Sequence, residues 1–161
     1  MLSLVLLPLF AASAAPPHVG DPAPAFEAQT LAGKSARGDT LRGQVTVVEF
    51  FASWCDPCKA SLSELLAIRE SRGARFGLMV VVVEGDVASV KDFFAGHPLP
   101  AGTVVALDGE GVLARAFGED RLPTTFFLDA KTIIRHINRG HGPGFRKRAT
   151  QWLSGMLAAA P

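Results

Sequence analysis

The chain has 161 residues, 48% of them hydrophobic and 19% charged, which suits one domain of ordinary size and excludes disorder over most of its length. A balance of 16 Lys and Arg against 15 Asp and Glu, net +1, argues against a nucleic-acid binder and against a polybasic membrane anchor. The only two cysteines, Cys55 and Cys58, are too close together to staple a small secreted scaffold.

Residues 1–17 carry no charged side chain. The apolar run Leu2–Phe10, broken once by Pro8, leads into small residues, and Ala12-Ser13-Ala14 fits a small-x-small cleavage pattern. This predicts a signal peptide over residues 1–15 and a periplasmic or otherwise exported protein, although no Lys or Arg precedes the apolar run. At about 1.5 Å per residue such a segment falls short of a hydrocarbon core of roughly 30 Å, and no other stretch is apolar enough to span one, so no stable membrane span is expected after cleavage. No Cys lies near the cut, so a lipoprotein is not expected. Pro16-Pro17-His18 reads as a short linker into a single domain, residues 16–161.

Phe26–Leu31 alternates loosely and Gly33-Lys34 follows as a turn, which predicts an N-terminal hairpin ending by Leu41-Arg42-Gly43. Val45–Phe51 and Phe76–Val83 are continuous β-branched and aromatic runs, the pattern of central strands covered on both faces; Glu49 is the exception in the first. Between them, Leu62, Leu65, Leu66 and Arg69 follow Cys58 at helical spacing until Gly73. Asp86 can cap a helix over Val87–Ala95, Thr103–Leu107 reads as a third strand, and Val112–Phe117 as a short helix. Thr124–Leu128 and Thr132–Asn138 form two strands around Asp129-Ala130-Lys131. Phe145, Ala149, Trp152, Leu153, Met156 and Leu157 mark a C-terminal amphipathic helix with Trp152 in the core. Strands alternating with helices predict an α/β domain with a mixed sheet.

Cys55-Asp56-Pro57-Cys58 follows a strand and opens a helix, which reads as a redox pair. Residues three apart lie about one helical turn apart, so the two sulfurs can meet. Cys55 falls where a helix exposes unpaired N–H groups that favour a thiolate, while Cys58 lies one turn deeper. Cys55 is therefore expected to attack and Cys58 to resolve the mixed disulfide. Pro57 fits the first helical turn. Half of a structural zinc site would need two more ligands at matching spacing; the four His are scattered, and no metal or cofactor is expected. Glu49, six residues before Cys55, is costly to bury ionised, and burial raises the pKa of such a group; the alternative is a solvated residue on an exposed strand face. Asp56 disfavours a Cys55 thiolate by like charge, which predicts a dithiol reductant rather than a strong oxidant, with Lys59 mostly solvated. His141, in the turn Arg139-Gly140-His141-Gly142, reads as a surface residue with no role.

The string Phe50-Phe51-Ala52-Ser53-Trp54-Cys55-Asp56-Pro57-Cys58-Lys59 resembles the active site of the thioredoxin superfamily, in its exported TlpA/ResA branch, related to the AhpC/TSA family. Val19–Phe26 resembles that branch's start, Leu41–Val45 its lead into the first central strand, and Leu122–Asp129 its cis-proline segment. The resemblance spans roughly residues 18–155. It implies a thioredoxin fold, a central mixed β-sheet flanked by helices, with an extra strand–helix insertion near residues 86–107. It implies that Pro123 is cis and faces the cysteines, that the backbone before it binds a client chain as an added strand, and that Trp54, Pro57, Leu122 and Thr124 contribute to the client surface. Glu49 matches the buried acid that thioredoxins fill with Asp and protein disulfide isomerases with Glu, where the TlpA/ResA branch more often has Asn; it is expected to take the Cys58 proton through a water. Two positions depart from ResA-like proteins: Ser61 and Ser63 stand where those have Glu and Pro.

The resulting expectation is a thiol–disulfide oxidoreductase that reduces disulfides of exported proteins, acting as a monomer on dithiol or disulfide clients and recharged by an upstream electron donor. A peroxidase of the AhpC/TSA type is the first alternative, but Pro-x-x-x-Thr/Ser-x-x-Cys is absent: Thr46 precedes Cys55 by nine residues and Pro57 follows it. A copper-handling module of the Sco type is the second, but those proteins space their cysteines by three residues and add a distal His.

Overall fold

The structure, a computed structural model, describes residues 15–160. The signal peptide expected over 1–15 lies, but for Ala15, outside the described residues. Among the described residues no helix is long and apolar enough to cross a membrane.

The N-terminal hairpin forms as expected. Strand β1 (Glu27–Gln29) pairs antiparallel with β2 (Ser35–Arg37), and only Ala28 and Ala36 turn inward. A 3-10 turn over Gly38–Leu41 buries Leu41. There follow β3 (Thr46–Phe51), α1 (Asp56–Ser71), β4 (Gly77–Val82), α2 (Val87–Gly96), β5 (Thr103–Leu107), α3 (Val112–Ala116), β6 (Thr124–Leu128), β7 (Ile134–Arg139) and α4 (Phe145–Ala158). The five-stranded sheet runs β5-β4-β3-β6-β7; β3, β4 and β5 are parallel, and β6 and β7 are each antiparallel to the preceding strand in that order. This is the mixed α/β sheet of a thioredoxin fold.

β3 and β4 are buried at every position, as strands covered on both faces must be. Side chains alternate between those faces. Val47 and Phe51 pack with Leu62, Leu65 and Ile68 of α1, Val90 and Phe94 of α2, and Ala149 and Leu153 of α4. Val48 and Phe50 pack the other way, with Leu113, Phe117, Phe126 and the hairpin alanines. Glu49 shares the parity of Val47 and Phe51, so it points at the layer that carries the cysteines.

The extra helix and strand of the interval 86–107 form as expected: Asp86 accepts from the Ala88 and Ser89 N–H groups and starts α2, and β5 follows. Two expectations need correction. β7 begins at Ile134 rather than Thr132: Asp129 accepts from the Lys131 and Ile133 amides, and Thr132 takes a φ of 64°, so the turn consumes the first two residues. Trp152 is only partly buried, on the rim of the core, where its ring stacks on His136 at 4.6 Å. The charged end of the α1 stripe also turns inward. Arg69 is buried and donates to Phe76 O at 3.1 Å and Ala101 O at 3.2 Å, tying α1 to the chain on either side of β4 and α2.

Candidate active site

β3 delivers the chain to the C-terminal end of the parallel strands, and α1 starts five residues later. Cys55 is the N-cap of α1: the Cys58 N–H donates to its Sγ at 3.3 Å, and its own N–H donates to Ala52 O at 3.1 Å. Cys55 and Cys58 are joined in a disulfide with Cα atoms 5.2 Å apart. Cys55 keeps 6% of its surface exposed and Cys58 none, so only the first sulfur is open to attack or to a partner. Helix-terminal N–H groups and the macrodipole favour negative charge at Cys55 once the bond is open.

Around the pair, Trp54 is 70% exposed and Pro57 is exposed in the first helical turn. Asp56 does not stand alone beside Cys55. Lys59, expected to be solvated, reaches back to it at 2.9 Å, which offsets part of the like-charge repulsion. The turn before Cys55 is held by a residue that the sequence did not single out: Glu84 Oε2 accepts from Ser53 N at 3.1 Å and from Ser53 Oγ at 3.0 Å.

Leu122–Pro123 is a cis peptide bond, as the resemblance implied. The next residue, Thr124, pairs with Phe50 near the end of β3, so the cis bond lies at the same edge of the molecule as the cysteines. Leu122 packs against the cluster that contains Cys55 and Cys58. Pro123 is buried, and its carbonyl accepts from Gly140 N at 2.7 Å. Thr124 is fully buried and its hydroxyl donates to Arg121 O at 2.7 Å, so its side chain closes the loop rather than facing outward.

Glu49 is fully buried, which removes the alternative of a solvated strand residue. Thr125 Oγ1 donates to Glu49 Oε2 at 2.6 Å, while Oε1 has no hydrogen-bond partner. Burial pushes this carboxyl from 4.5 up to about 7; the hydroxyls of Thr125 and, more weakly, Ser61 pull the other way. Thr125 was invisible in the sequence because strand register, not spacing, places it opposite Glu49. His141 is not a surface residue. Its side chain is 18% exposed, and Nε2 lies 3.4 Å from Glu64 Oε1 on α1, without the alignment of a hydrogen bond.

The arrangement suits two-electron thiol exchange: two sulfurs that can join, one accessible, one buried in the layer toward which Glu49 points with its carboxyl pushed up to about 7. The AhpC/TSA family model matches residues 19–137. The chain is similar to the thiol-disulfide oxidoreductase ResA of Geobacillus thermodenitrificans, 29% identical over 125 residues, covering 76% of this chain and 70% of the relative. It is 32% identical over 127 residues to the thiol:disulfide interchange protein DsbE of Allochromatium vinosum, covering 77% and 68%. The solved structure of a Chlorobium tepidum protein, described as a thiol:disulfide interchange protein DsbE, superposes with a TM-score of 0.79 at 26% identity, over 87% of this chain and 98% of that one. The chain belongs to the AhpC/TSA family, and its cysteine pair on a thioredoxin fold makes it a thiol–disulfide oxidoreductase.

Proposed function

We propose that this protein reduces disulfides of exported client proteins through Cys55 and Cys58. The observation that carries the reading is the difference in shielding between the two sulfurs, 6% against 0% exposure, with Cys55 as helix N-cap. The Cys55 thiolate attacks one sulfur of a client disulfide; a Cys55–client bond forms and the other client sulfur leaves as a thiolate. Cys58 gives its proton to Glu49, directly or through a water, and its thiolate attacks Cys55 Sγ. The client leaves fully reduced, the pair is left as a disulfide, and two electrons have moved. An upstream dithiol donor then restores the pair. Trp54 and Pro57 offer an exposed apolar rim to the client, and the Leu122–Pro123 segment receives its chain as an added strand, with Thr124 bracing the loop behind. The preference for reduction rests on Asp56, whose carboxylate limits thiolate stabilisation at Cys55 even with Lys59 beside it. Export rests on the uncharged, apolar N-terminal segment followed by small residues. The protein acts as a monomer.

Trapping tests this reading. A Cys58→Ser variant holds the client covalently on Cys55, and mass spectrometry of the trapped species finds exported proteins with disulfides. Failure of Cys58→Ser to trap anything, with rapid peroxide consumption by the wild type, would favour a peroxidase instead.

A further inference from the structure

Ser61 is fully buried on the inward face of α1, among Leu62, Leu65 and Ile68, three residues after Cys58. A serine inside a helix usually returns its hydroxyl to a carbonyl one turn back. Ser154 of α4 does so, donating to Thr150 O at 2.7 Å. Ser61 does not; its Oγ has no hydrogen-bond partner, and neither has Glu49 Oε1. Two unpaired polar atoms buried in one apolar layer are a costly arrangement unless they serve each other. Among the groups that act on Glu49, only Thr125 and Ser61 are polar, and no charged side chain of the elements packed around it contributes. Cys58 of α1 is the titratable group that shares its layer.

We propose that Ser61 is a positioning residue for Glu49, its free hydroxyl turning onto the free Oε1 from the helix that carries Cys58 when the carboxyl ionises, while Thr125 holds Oε2 from the sheet. The inference rests on the reading of Glu49 as the proton acceptor for Cys58. A hydroxyl suits that task because it donates to the ionised carboxylate and accepts from the protonated one, following the acid through both halves of the cycle. A carboxylate bonded at both oxygens is also kept from turning away from the sulfur whose proton it takes.

The test uses the full chain and four variants: Ser61→Ala, Ser61→Thr, Glu49→Gln and the Ser61→Ala/Glu49→Gln double. Alanine is the best helix former, so Ser61→Ala is expected to fold normally. Two quantities are read: the Glu49 carboxyl titration by carbon-13 NMR, and the pH profile of the single-turnover step in which Cys58 releases a mixed disulfide. In Ser61→Ala the carboxyl midpoint rises by about half to one pH unit and release slows roughly three- to tenfold below that midpoint, converging with wild type at high pH. Ser61→Thr restores both, and the double variant behaves as Glu49→Gln alone. An unmoved Glu49 midpoint in Ser61→Ala overturns the inference while leaving Glu49 as acceptor. Normal release in Glu49→Gln overturns the acceptor reading instead, whatever the midpoint does.

Discussion

Thr125 stands directly opposite Glu49 in the antiparallel pairing of β3 with β6, and its hydroxyl closes on Glu49 Oε2 at 2.6 Å. The bond favours the ionised carboxylate at a site where burial favours the neutral acid, and burial wins, leaving the carboxyl at about 7. An acid in that range can both take and return a proton near neutral pH, which a surface glutamate cannot do efficiently. The same imbalance has a consequence for stability.

The native state binds the Glu49 proton more tightly than the unfolded chain does, so stability falls as pH rises from about 4.5 to about 7 and stays lowered above that. Glu49→Gln carries no charge to desolvate. The variant is expected to match wild type near pH 4 and to exceed it by roughly 3 kcal/mol at pH 8. Urea denaturation of the oxidised proteins at several pH values measures this. Parallel stability profiles would show that burial does not hold the carboxyl up.

Thr125→Val keeps the shape of the side chain and removes the hydroxyl. Without that donor the Glu49 midpoint rises further, by about one pH unit, because a hydrogen bond to a charged acceptor is worth roughly 1.5–3 kcal/mol and part of it is lost to the neutral form as well. Cys58 release slows at neutral pH and recovers at alkaline pH. Thr125→Ser, which keeps the donor, stays close to wild type. A Thr125→Val protein with an unshifted carboxyl titration would remove the hydroxyl from the account.

Strand existence was legible because β3 and β4 are covered on both faces, by α1, α2 and α4 on one and by α3 and the hairpin on the other, and so are almost wholly apolar; Val45–Phe51 and Phe76–Val83 announce this directly. The redox pair was legible because its chemistry is local to one helical turn. What a single chain does not display is which residues of distant segments stand opposite one another. Thr125 faces Glu49 through strand register, and Glu84 reaches Ser53 across the ends of β4 and β3. Arg69, polar by type, goes inward because two backbone carbonyls await it. Trp152, apolar by type, goes to the rim because His136 offers a ring to stack on.

Asp108 acts over a shorter range, at the start of α3. It is 4% exposed, and its two oxygens accept separately from Leu113 N at 2.9 Å and Ala114 N at 2.8 Å, supplying the first turn of a five-residue helix that Gly111 starts without a side-chain cap. Asp108→Ala leaves both amides unpaired and is expected to lower stability by about 1–3 kcal/mol. Leu113 and Phe117 then lose their anchor against the sheet, so protection of the α3 amides from hydrogen exchange falls more than that of β3. Uniform loss of protection across the molecule would contradict a local role.

Glu84 bears on Cys55 through two opposed effects that a pair of variants separates. Its carboxylate fixes the turn that ends at the N-cap by accepting from both Ser53 donors, and that turn aligns the Cys58 N–H on Cys55 Sγ. Its negative charge, on the other hand, disfavours a thiolate nearby. Glu84→Gln removes the charge and keeps a carbonyl acceptor, so Cys55 is expected to alkylate at least as fast as in wild type. Glu84→Ala removes both. That leaves the Ser53 amide unpaired, costs about 1–2 kcal/mol and, with the hold on the turn outweighing the charge, slows alkylation of Cys55 several-fold at neutral pH. Iodoacetamide kinetics on the reduced proteins reads the balance: faster reaction in both variants would mean that charge dominates and that the clamp does not shape the reactive sulfur.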